Sequence, residues 1–226
     1  MEGDLLMDEG RKHQVIFYIS GNKIFAYGED LPAMVQMDVP VDAVRDFDVI
    51  SPEKFASAVG IFLVTNNIEG GVVTVVFSPE ATFEKEFTDE TELKDGLSAF
   101  LDRVPFEELA SRTYHINKKI KVIAINKEYC TVLKKILNTE RFLLYAFVPF
   151  TLLQEVIPDL RSRLDLRMIL EKIDLAKQYN LFFNEETTNV APSNSDKSGE
   201  KKRLFMLLGI FVILLIGLVL VISLRN

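Results

Sequence analysis

Residues 72–87 read VVTVVFSPEATFEKEF, and this stretch contains two different kinds of β-strand. The first part, VVTVVF, is a continuous apolar run rich in β-branched residues, which is typical of a strand buried on both faces of a sheet. Ser78 and Pro79 end that run. The second part alternates apolar and polar residues as far as Thr88, as an edge strand does. The stretch therefore predicts a central strand followed directly by an edge strand.

The residues before this stretch predict a hairpin, a third strand and a helix. Residues 13–30, HQVIFYISGNKIFAYGED, hold two β-rich runs separated by SGN, which is a hairpin signal. Residues 34–39 alternate as a third strand. Ser51 is a favourable N-cap and Pro52 a favourable first residue of a helix. The apolar face of this helix consists of Phe55, Val59, Phe62 and Leu63.

The residues after the stretch continue the mixture of strands and helices. Residues 89–104 predict a helix with Leu93, Leu97, Phe100, Leu101 and Val104 on one face. Two neighbouring strands follow over 111–117 and 119–126, then a helix capped by Asn126, a strand over 141–150 and a long helix over 158–180. The predicted apolar faces of these two helices are Tyr129, Val132, Leu133, Ile136 and Leu137, and Leu166, Ile169, Leu170, Ile173 and Ala176. The predicted class is α/β or α+β. The order from Ala81 to Phe150 predicts a small sheet with both helices on one face.

Charge and cysteine content exclude some classes of protein. The chain has 226 residues and a formal net charge of −7, which argues against nucleic acid as a partner because a phosphate-binding surface is basic. One cysteine, Cys130, cannot form an intrachain disulfide or a Cys-type zinc site, so the folded part is expected in a reducing compartment. Residues 1–12 are predicted to be disordered and carry no signal-peptide pattern.

The tail predicts a membrane anchor. Residues from Leu204 to Leu224 contain no ionisable side chain, and a helix of this length spans about 31 Å, close to the ~30 Å hydrocarbon core of a bilayer. Lys201, Lys202 and Arg203 precede the run, and positive charge stays on the cytoplasmic side. The expectation is a single-pass protein of the bacterial inner membrane, with its N-terminal domain in the cytoplasm.

The segment between domain and anchor predicts a tether. Residues 184–203 are polar and lack large apolar side chains after Val190, so they cannot bury enough surface to fold. The predicted plan is a domain over residues 13–183, a polar linker over 184–203 and a transmembrane helix over 204–224.

Catalytic motifs are missing from the sequence. The sequence places no acid or nucleophile near either of the two histidines, His13 and His115, and His115 is expected on the surface of a strand. Cys130 lies among the apolar positions of a predicted helix and is expected to be a small buried residue. The glycines in NIEGGVV precede a strand, whereas a phosphate-binding loop needs glycines after one. No catalytic residue, metal ligand or cofactor is predicted, and the protein is expected not to be an enzyme.

Four segments together resemble a known family. They are VVTVVFSPEATFEKEF, LKDGLSAFLDRVPFEELASRTYHI, KIKVIAINKEYCTVLKKIL and RFLLYAFVPFTLLQ. They resemble the N-terminal, protein-binding half of the actin-like pilus assembly protein family PilM and the cytoplasmic domain of type II secretion L proteins. The DRVPFEEL stretch looks like that family's IPF element, and the resemblance covers roughly Val15 to Gln154. It implies a truncated actin-like domain of the SHS2 type, with small mixed sheets and packed helices.

The chain also departs from the family. Members that bind ATP have an acidic residue and a glycine between the first two strands, whereas this turn reads ISGNKI. No room is left after Gln154 for the second half of an actin-like fold. The resemblance therefore implies a relative that keeps the protein-binding part and lacks the nucleotide site. In that family the partner is an adjacent membrane protein whose short cytoplasmic end docks on the domain.

The sequence thus favours a non-enzymatic scaffold of a type IV pilus assembly or type II secretion platform. Its expected partners are the lipid bilayer and inner-membrane pilus or secretion proteins, and a homo- or hetero-oligomer stays open. One alternative is an actin-like ATP-binding protein, which ATP binding to residues 1–184 would reveal. Another is a tail-anchored adaptor in cell division or envelope processes, which the neighbouring genes would identify.

The anchor can be tested with two charges at the centre of the run. Each arginine costs roughly 2.5–3.5 kcal/mol of insertion free energy there, so the single variant Ile213→Arg is expected to stay in the membrane. The double variant Ile213→Arg, Leu214→Arg is expected to move into the soluble fraction with a folded domain. Fractionation and circular dichroism measure both properties. A double variant that aggregates as an unfolded chain would instead show that the tail belongs to the core of the domain.

Overall fold

The computed structural model describes residues 13–182, which form a mixed α/β fold. The chain divides into two units, residues 1–184 and 185–226, and only the first contains described residues. Its strands are β1 (Gln14–Ser20), β2 (Lys23–Gly28), β3 (Val35–Asp38), β4 (Val44–Arg45), β5 (Asp48–Val49), β6 (Val72–Phe77), β7 (Phe83–Phe87), β8 (Leu109–Ile116), β9 (Lys119–Asn126) and β10 (Leu143–Pro149). Its α-helices are α1 (Pro52–Thr65), α2 (Glu90–Leu101), α3 (Lys127–Thr139), α4 (Phe150–Val156), α5 (Leu166–Glu171) and α6 (Ile173–Gln178).

The main sheet has five strands in the order β10-β6-β1-β2-β3. Strand β1 pairs antiparallel with β2 and parallel with β6, and β10 adds parallel to the other edge of β6. The predicted hairpin, third strand and central strand are therefore present. Gly70 and Gly71 precede β6 because a side chain there would collide with the backbone at Arg141 and His13.

Helices cover both faces of the main sheet. Alternate residues of a strand point to opposite faces, so Phe17 and Ile19 of β1 enter one core, while Ile16 and Tyr18 enter another. Helices α1 and α3 bury their apolar faces in the first core. Helices α4, α5 and α6 bury theirs in the second. The main sheet is thus the middle layer of three.

The helix starts follow their capping residues. The Ser51 side chain accepts a hydrogen bond from the Lys54 amide at 3.3 Å, and the Asn126 side chain accepts one from the Tyr129 amide at 3.1 Å. Both caps and both apolar faces agree with the predictions. Each cap satisfies an amide that has no partner within its own helix.

The small sheet differs from the prediction in one strand. Strands β7, β9 and β8 form an antiparallel sheet in that order, but β10 does not join them and pairs with β6 instead. The reason is burial, because β10 is buried from Ala146 to Pro149 and fits beside another apolar strand of the main sheet.

The two helices of this region also lie on opposite faces of the small sheet. Helix α2 packs Leu93, Leu97 and Phe100 against Ile120 and Val122 of β9. Helix α3 shares a core with Ile123 and Ile125, which point to the other face. The prediction that both helices lie on one face was wrong, because β9 is apolar on both of its faces.

The long helix predicted over residues 158–180 is broken into three pieces. A short 3₁₀ helix spans Pro158–Arg161, and the Asp165 side chain then accepts hydrogen bonds from the Arg167 and Met168 amides, which starts α5. Lys172 leaves the helical conformation between α5 and α6. The predicted apolar positions of this region, Leu166, Ile169, Leu170, Ile173 and Ala176, are nevertheless buried. Helix α4, which begins directly after Pro149, was not predicted.

The predicted linker and anchor lie outside the described residues, as do Lys201, Lys202, Arg203, Leu204 and Leu224. Within residues 13–182, none of the helices has both the length and the apolar character needed to cross a bilayer.

A buried hydroxyl in the central strand offers a test of the main sheet. Thr74 is 0% exposed, and its hydroxyl has no hydrogen-bond partner among the described residues. Leaving a buried polar group unpaired costs about 1–3 kcal/mol. We therefore expect Thr74→Val to raise the free energy of unfolding by about 1 kcal/mol, measured by urea denaturation of the fragment 1–184.

The matched control introduces the same group at the next position on that face of β6. Val76 is also 0% exposed, so Val76→Thr is expected to lower the free energy of unfolding by about 1–3 kcal/mol. Destabilisation by Thr74→Val would mean that the Thr74 hydroxyl does have a partner.

Candidate interaction site between the two sheets

The last described residues, 179–182, lie between the two sheets. We call this stretch, with the sequence YNLF, the C-terminal segment. On one side it contacts Phe147 on the edge strand β10 of the main sheet, and on the other it contacts Arg112 and Tyr114 on β8 of the small sheet. Both sides of this junction are built by residues far apart in the chain.

Asn180 is the residue that binds both sheets. Its side-chain oxygen accepts a hydrogen bond from the Phe147 amide at 3.0 Å and another from the Phe182 amide at 3.3 Å. Its backbone carbonyl accepts a hydrogen bond from the Arg112 guanidinium. The Leu181 amide donates to the Phe147 carbonyl at 2.9 Å. Both backbone groups of Phe147 are therefore satisfied by the C-terminal segment, as a neighbouring strand would satisfy them.

Aromatic and apolar contacts line the same junction. Leu181 is only 5% exposed, and the Phe182 ring packs edge-on to the Phe147 ring at a centroid distance of 5.3 Å. The Tyr114 hydroxyl donates to the Tyr179 carbonyl at 3.1 Å, and burial raises the pKa of Tyr114, so the hydroxyl keeps its proton at neutral pH. The junction thus combines one buried leucine with four hydrogen bonds between the segment and the two sheets.

A second set of contacts joins the sheets beside α4. The Glu84 carboxylate on β7 accepts hydrogen bonds from the hydroxyls of Thr82 and Thr151, and Lys121 lies 3.6 Å away. The Asn117 amide donates to Glu155 of α4 at 3.1 Å. The Glu84 carboxylate therefore points towards α4 and is only 20% exposed.

An acidic cleft of about 510 Å³ opens at the other side of the small sheet. Its carboxylates are Asp48, Glu107, Glu108 and Glu128. Asn126 donates from its side-chain nitrogen to Asp48 at 2.9 Å, which ties β5 to the start of α3. Among residues 13–182 no group of three or more acidic, histidine or cysteine side chains could hold a metal ion. The cleft is an exposed acidic surface.

The structure places the two histidines and the cysteine on separate elements. His115 is exposed, and its Nε2 lies 3.8 Å from Glu90, as expected of a surface residue. Cys130 is buried within α3, and burial raises the pKa of its thiol, which removes it as a nucleophile. His13 pairs with Asp30 at an exposed position. These three residues lie on different elements, with His13 directly before β1, His115 in β8 and Cys130 in α3.

One acidic group near the first turn was missed from the sequence. The turn between β1 and β2 contains no acid, but the Ser20 hydroxyl donates to Glu80 at 3.3 Å, and Gly21 lies beside the same carboxylate. Glu80 belongs to the short 3₁₀ helix Pro79–Ala81 that follows β6. An acid therefore does lie at this turn, supplied by a separate element, and no local pattern of the first hairpin could have revealed it.

Comparisons by sequence identify no relatives. No family model matches the chain, and no curated protein sequence matches it.

Comparisons by structure find proteins of a type IV pilus biogenesis complex and of a type II secretion system. The chain is similar to a protein in the PilM–PilN type IV pilus biogenesis complex, with 14% identity and a TM-score of 0.43 over 61% of this chain and 47% of the other. It is also similar to the cytoplasmic domain of EpsL, an inner-membrane component of the type II secretion system of Vibrio cholerae, with 8% identity and a TM-score of 0.37 over 61% and 57%.

A third similar structure is a Bacteroides thetaiotaomicron protein with an actin-like ATPase fold and unknown function. It shares 10% identity with a TM-score of 0.35, over 63% of this chain and 56% of that one. The chain spans about half the length of the solved structures that it matches. Two of these structures, the PilM–PilN complex and the EpsL cytoplasmic domain, come from the groups of proteins that the sequence motifs resemble.

The Tyr114 hydroxyl provides a local test of the junction. Tyr114→Phe removes the hydrogen bond to the Tyr179 carbonyl and leaves the ring in place, so we expect the free energy of unfolding to fall by about 1 kcal/mol. Tyr145→Phe is the control, because Tyr145 on β10 has no hydroxyl hydrogen bond within the described residues. Thermal unfolding of the fragment 1–184 measures both. Equal midpoints for the two variants would contradict a contribution from this bond.

Proposed function

We propose that the protein is a membrane-anchored, non-enzymatic scaffold on the cytoplasmic face of a bacterial inner membrane, within a type IV pilus assembly or type II secretion platform. The proposal is carried by the order of the domain and the apolar run along the chain. The described domain ends at the junction between its two sheets, and about 20 residues later the sequence enters an apolar run long enough to cross a bilayer.

The polar side chains connect the two sheets of the domain, which supports a role as a scaffold. Asn180, Tyr114 and Glu84 connect the two sheets. Cys130 and Tyr129 are buried in the main core, where burial raises the pKa of each. These groups hold the domain together, and a domain made of two joined sheets suits protein binding.

The sequence motifs support a role in type IV pilus assembly or type II secretion. The four segments that resemble the PilM and L-protein family all lie in the described domain, and they fall on β6 to α4. In that family an adjacent membrane protein docks its short cytoplasmic end on the domain. We propose a partner of this kind for the present chain.

The tether gives a physical reason why such docking can be weak. A domain anchored to the bilayer meets membrane neighbours at an effective concentration that reaches the millimolar range when the connection is short. A surface with modest affinity is then occupied for much of the time. The acidic cleft and the exposed side chains Ile61 and Val64 on α1 are available for such contacts.

In-cell crosslinking tests the function. We expect crosslinks from surface positions of the domain to inner-membrane pilus or secretion proteins. The anchor variant Ile213→Arg, Leu214→Arg should lose at least tenfold of the yield, because release removes the effective concentration. A folded, membrane-bound protein without such crosslinks would contradict the proposed machinery.

Calorimetry separates the scaffold from an actin-like ATP-binding protein. Glu80 is the observation that favours the second candidate, since it brings a carboxylate to the turn between β1 and β2. For a scaffold we expect no heat of ATP binding to the fragment 1–184 with magnesium present. Micromolar binding that is lost in Glu80→Gln would replace the scaffold with the nucleotide-binding function.

A further inference from the structure

We propose that β8, the outer strand of the small sheet, pairs antiparallel with β8 of a second copy of this chain. Each small sheet has three strands, so the pairing joins two of them into one continuous sheet. The inference goes beyond the scaffold function and depends neither on the membrane anchor nor on a pilus or secretion partner. It rests on the free edge of β8 and on the order of charges along residues 107–119.

The backbone of β8 bonds to β9 at every second residue. The two strands are joined by Asn117 and Lys118, whose φ angles of 50° and 63° define a type I′ turn of two residues. In such a hairpin the flanking residues, Ile116 and Lys119, form a hydrogen-bonded pair, and the bonded pairs then recur at every second position. The backbone groups of the other residues therefore point away from β9, and these residues are Leu109, Ser111, Thr113 and His115.

This outer edge of β8 has no neighbouring strand in the described part of the chain. The small sheet has the order β7-β9-β8, and within residues 13–182 no turn, loop or cap makes a backbone hydrogen bond with the four outward-facing residues. The contacts of Arg112 and Tyr114 with the C-terminal segment are made by side chains, which lie on a face of the sheet. A row of backbone donors and acceptors is thus available for another strand.

Other sheet edges of the domain carry protection that β8 lacks. The edge of β10 is bonded by the C-terminal segment, β3 has only four residues, and β7 carries three consecutive charges over residues 84–86. Coverage, short length and charge are the usual means by which proteins keep an edge from pairing. Strand β8 has eight residues, no proline and an unbroken register with β9.

The charges at the two ends of β8 favour a second copy as the partner. Glu107 and Glu108 precede the strand, Lys118 and Lys119 follow it, and all four are exposed. Lys119 already pairs with Glu86 at 2.6 Å, whereas Glu108 and Lys118 make no ion pair within the described residues. An antiparallel copy brings the acidic end of one strand to the basic end of the other, so the edge is complementary to itself.

One register satisfies both the backbone and the charges. Outward-facing residues must lie opposite each other, which leaves only alternate registers. The register centred on Thr113 places Glu108 opposite Lys118 of the second copy, and the two Thr113 residues form a favourable cross-strand pair. The register centred on Arg112 would place two arginines directly opposite each other, which is destabilising. The register centred on Tyr114 would place Lys118 opposite an alanine.

Oxidative crosslinking of the purified full chain in detergent tests this register. In Thr113→Cys the two paired Cα atoms lie about 5.5 Å apart, which a disulfide can bridge. In the matched control Ser111→Cys the two cysteines lie four positions apart, about 13 Å along the strands. With diamide as the oxidant, we expect the covalent dimer of Thr113→Cys to form at least tenfold faster than that of Ser111→Cys, measured on non-reducing gels. The wild type is the blank, because Cys130 is buried.

Charge reversal in the Thr113→Cys chain tests the self-complementary ends. Glu108→Lys or Lys118→Glu alone places like charges at both ends of the paired strands, so each is expected to slow crosslinking at least threefold. The two together restore opposite charges and should return the rate to within twofold. Glu29→Lys changes the net charge equally at another exposed position and should leave the rate unchanged. The differences should shrink at about 1 M salt, where charges are screened.

The remaining outcomes overturn the pairing. Equal rates for Thr113→Cys and Ser111→Cys would exclude this register, and no dimer from a chain that circular dichroism shows to be folded would exclude the interface. A double charge variant that stays slow would mean that Glu108 and Lys118 do not meet. Crosslinks in cells from Thr113→Cys to a different protein alone would assign the edge to another strand. The purified chain contains no pilus or secretion protein, so failure here is distinguishable from failure of the scaffold.

Discussion

The pairing of β6 on both of its edges is the constraint on which the rest of the fold depends. Strand β6 lies between β1 and β10, runs parallel to both, and is buried from Val73 to Phe77. Parallel neighbours cannot be joined by a tight turn, so the chain must leave the sheet and return between β6 and β10. The small sheet and helices α2 and α3 form that excursion. Everything that could bind a partner at the junction is therefore placed by the return of β10 to the edge of β6.

The junction between the sheets uses polar groups where the cores use apolar ones. Arg112 and Tyr114 face the main body from β8, while Ile123 and Ile125 of β9 continue the main core into the small sheet. Hydrogen bonds to backbone carbonyls fix the orientation and register of the two sheets, because they depend on distance and angle. Apolar contacts depend mainly on the area that they bury. This combination allows two sheets to share a core and still meet in a defined register. It also places the exit of the chain at a defined point.

Local sequence patterns predicted the helices and strands well where the buried residues recur at one constant spacing. The caps Ser51 and Asn126 and the apolar faces of α1 and α3 were readable because each depends on a few neighbouring residues. The predicted helix over 158–180 was wrong because its apolar spacing continues across Lys172, where the backbone leaves the helix. The predicted apolar positions were nevertheless correct, because α5 and α6 both bury them in the second core. The placement of β10 was wrong because an apolar run does not say which strand it will pair with.

The sequence by itself determined the class of the fold, the caps and buried faces of its helices, the inert role of Cys130 and the surface position of His115, since all of these follow from residue type and local spacing. It also carries the apolar run from Leu204 to Leu224, whose length and lack of charge are properties of composition. Only the tertiary structure decided that Glu80 meets the first turn, that Glu84 points to α4, and that Asn180 joins Phe147 to Arg112. These contacts join residues more than 30 positions apart, and such pairs depend on how the sheets pack rather than on any pattern along the chain.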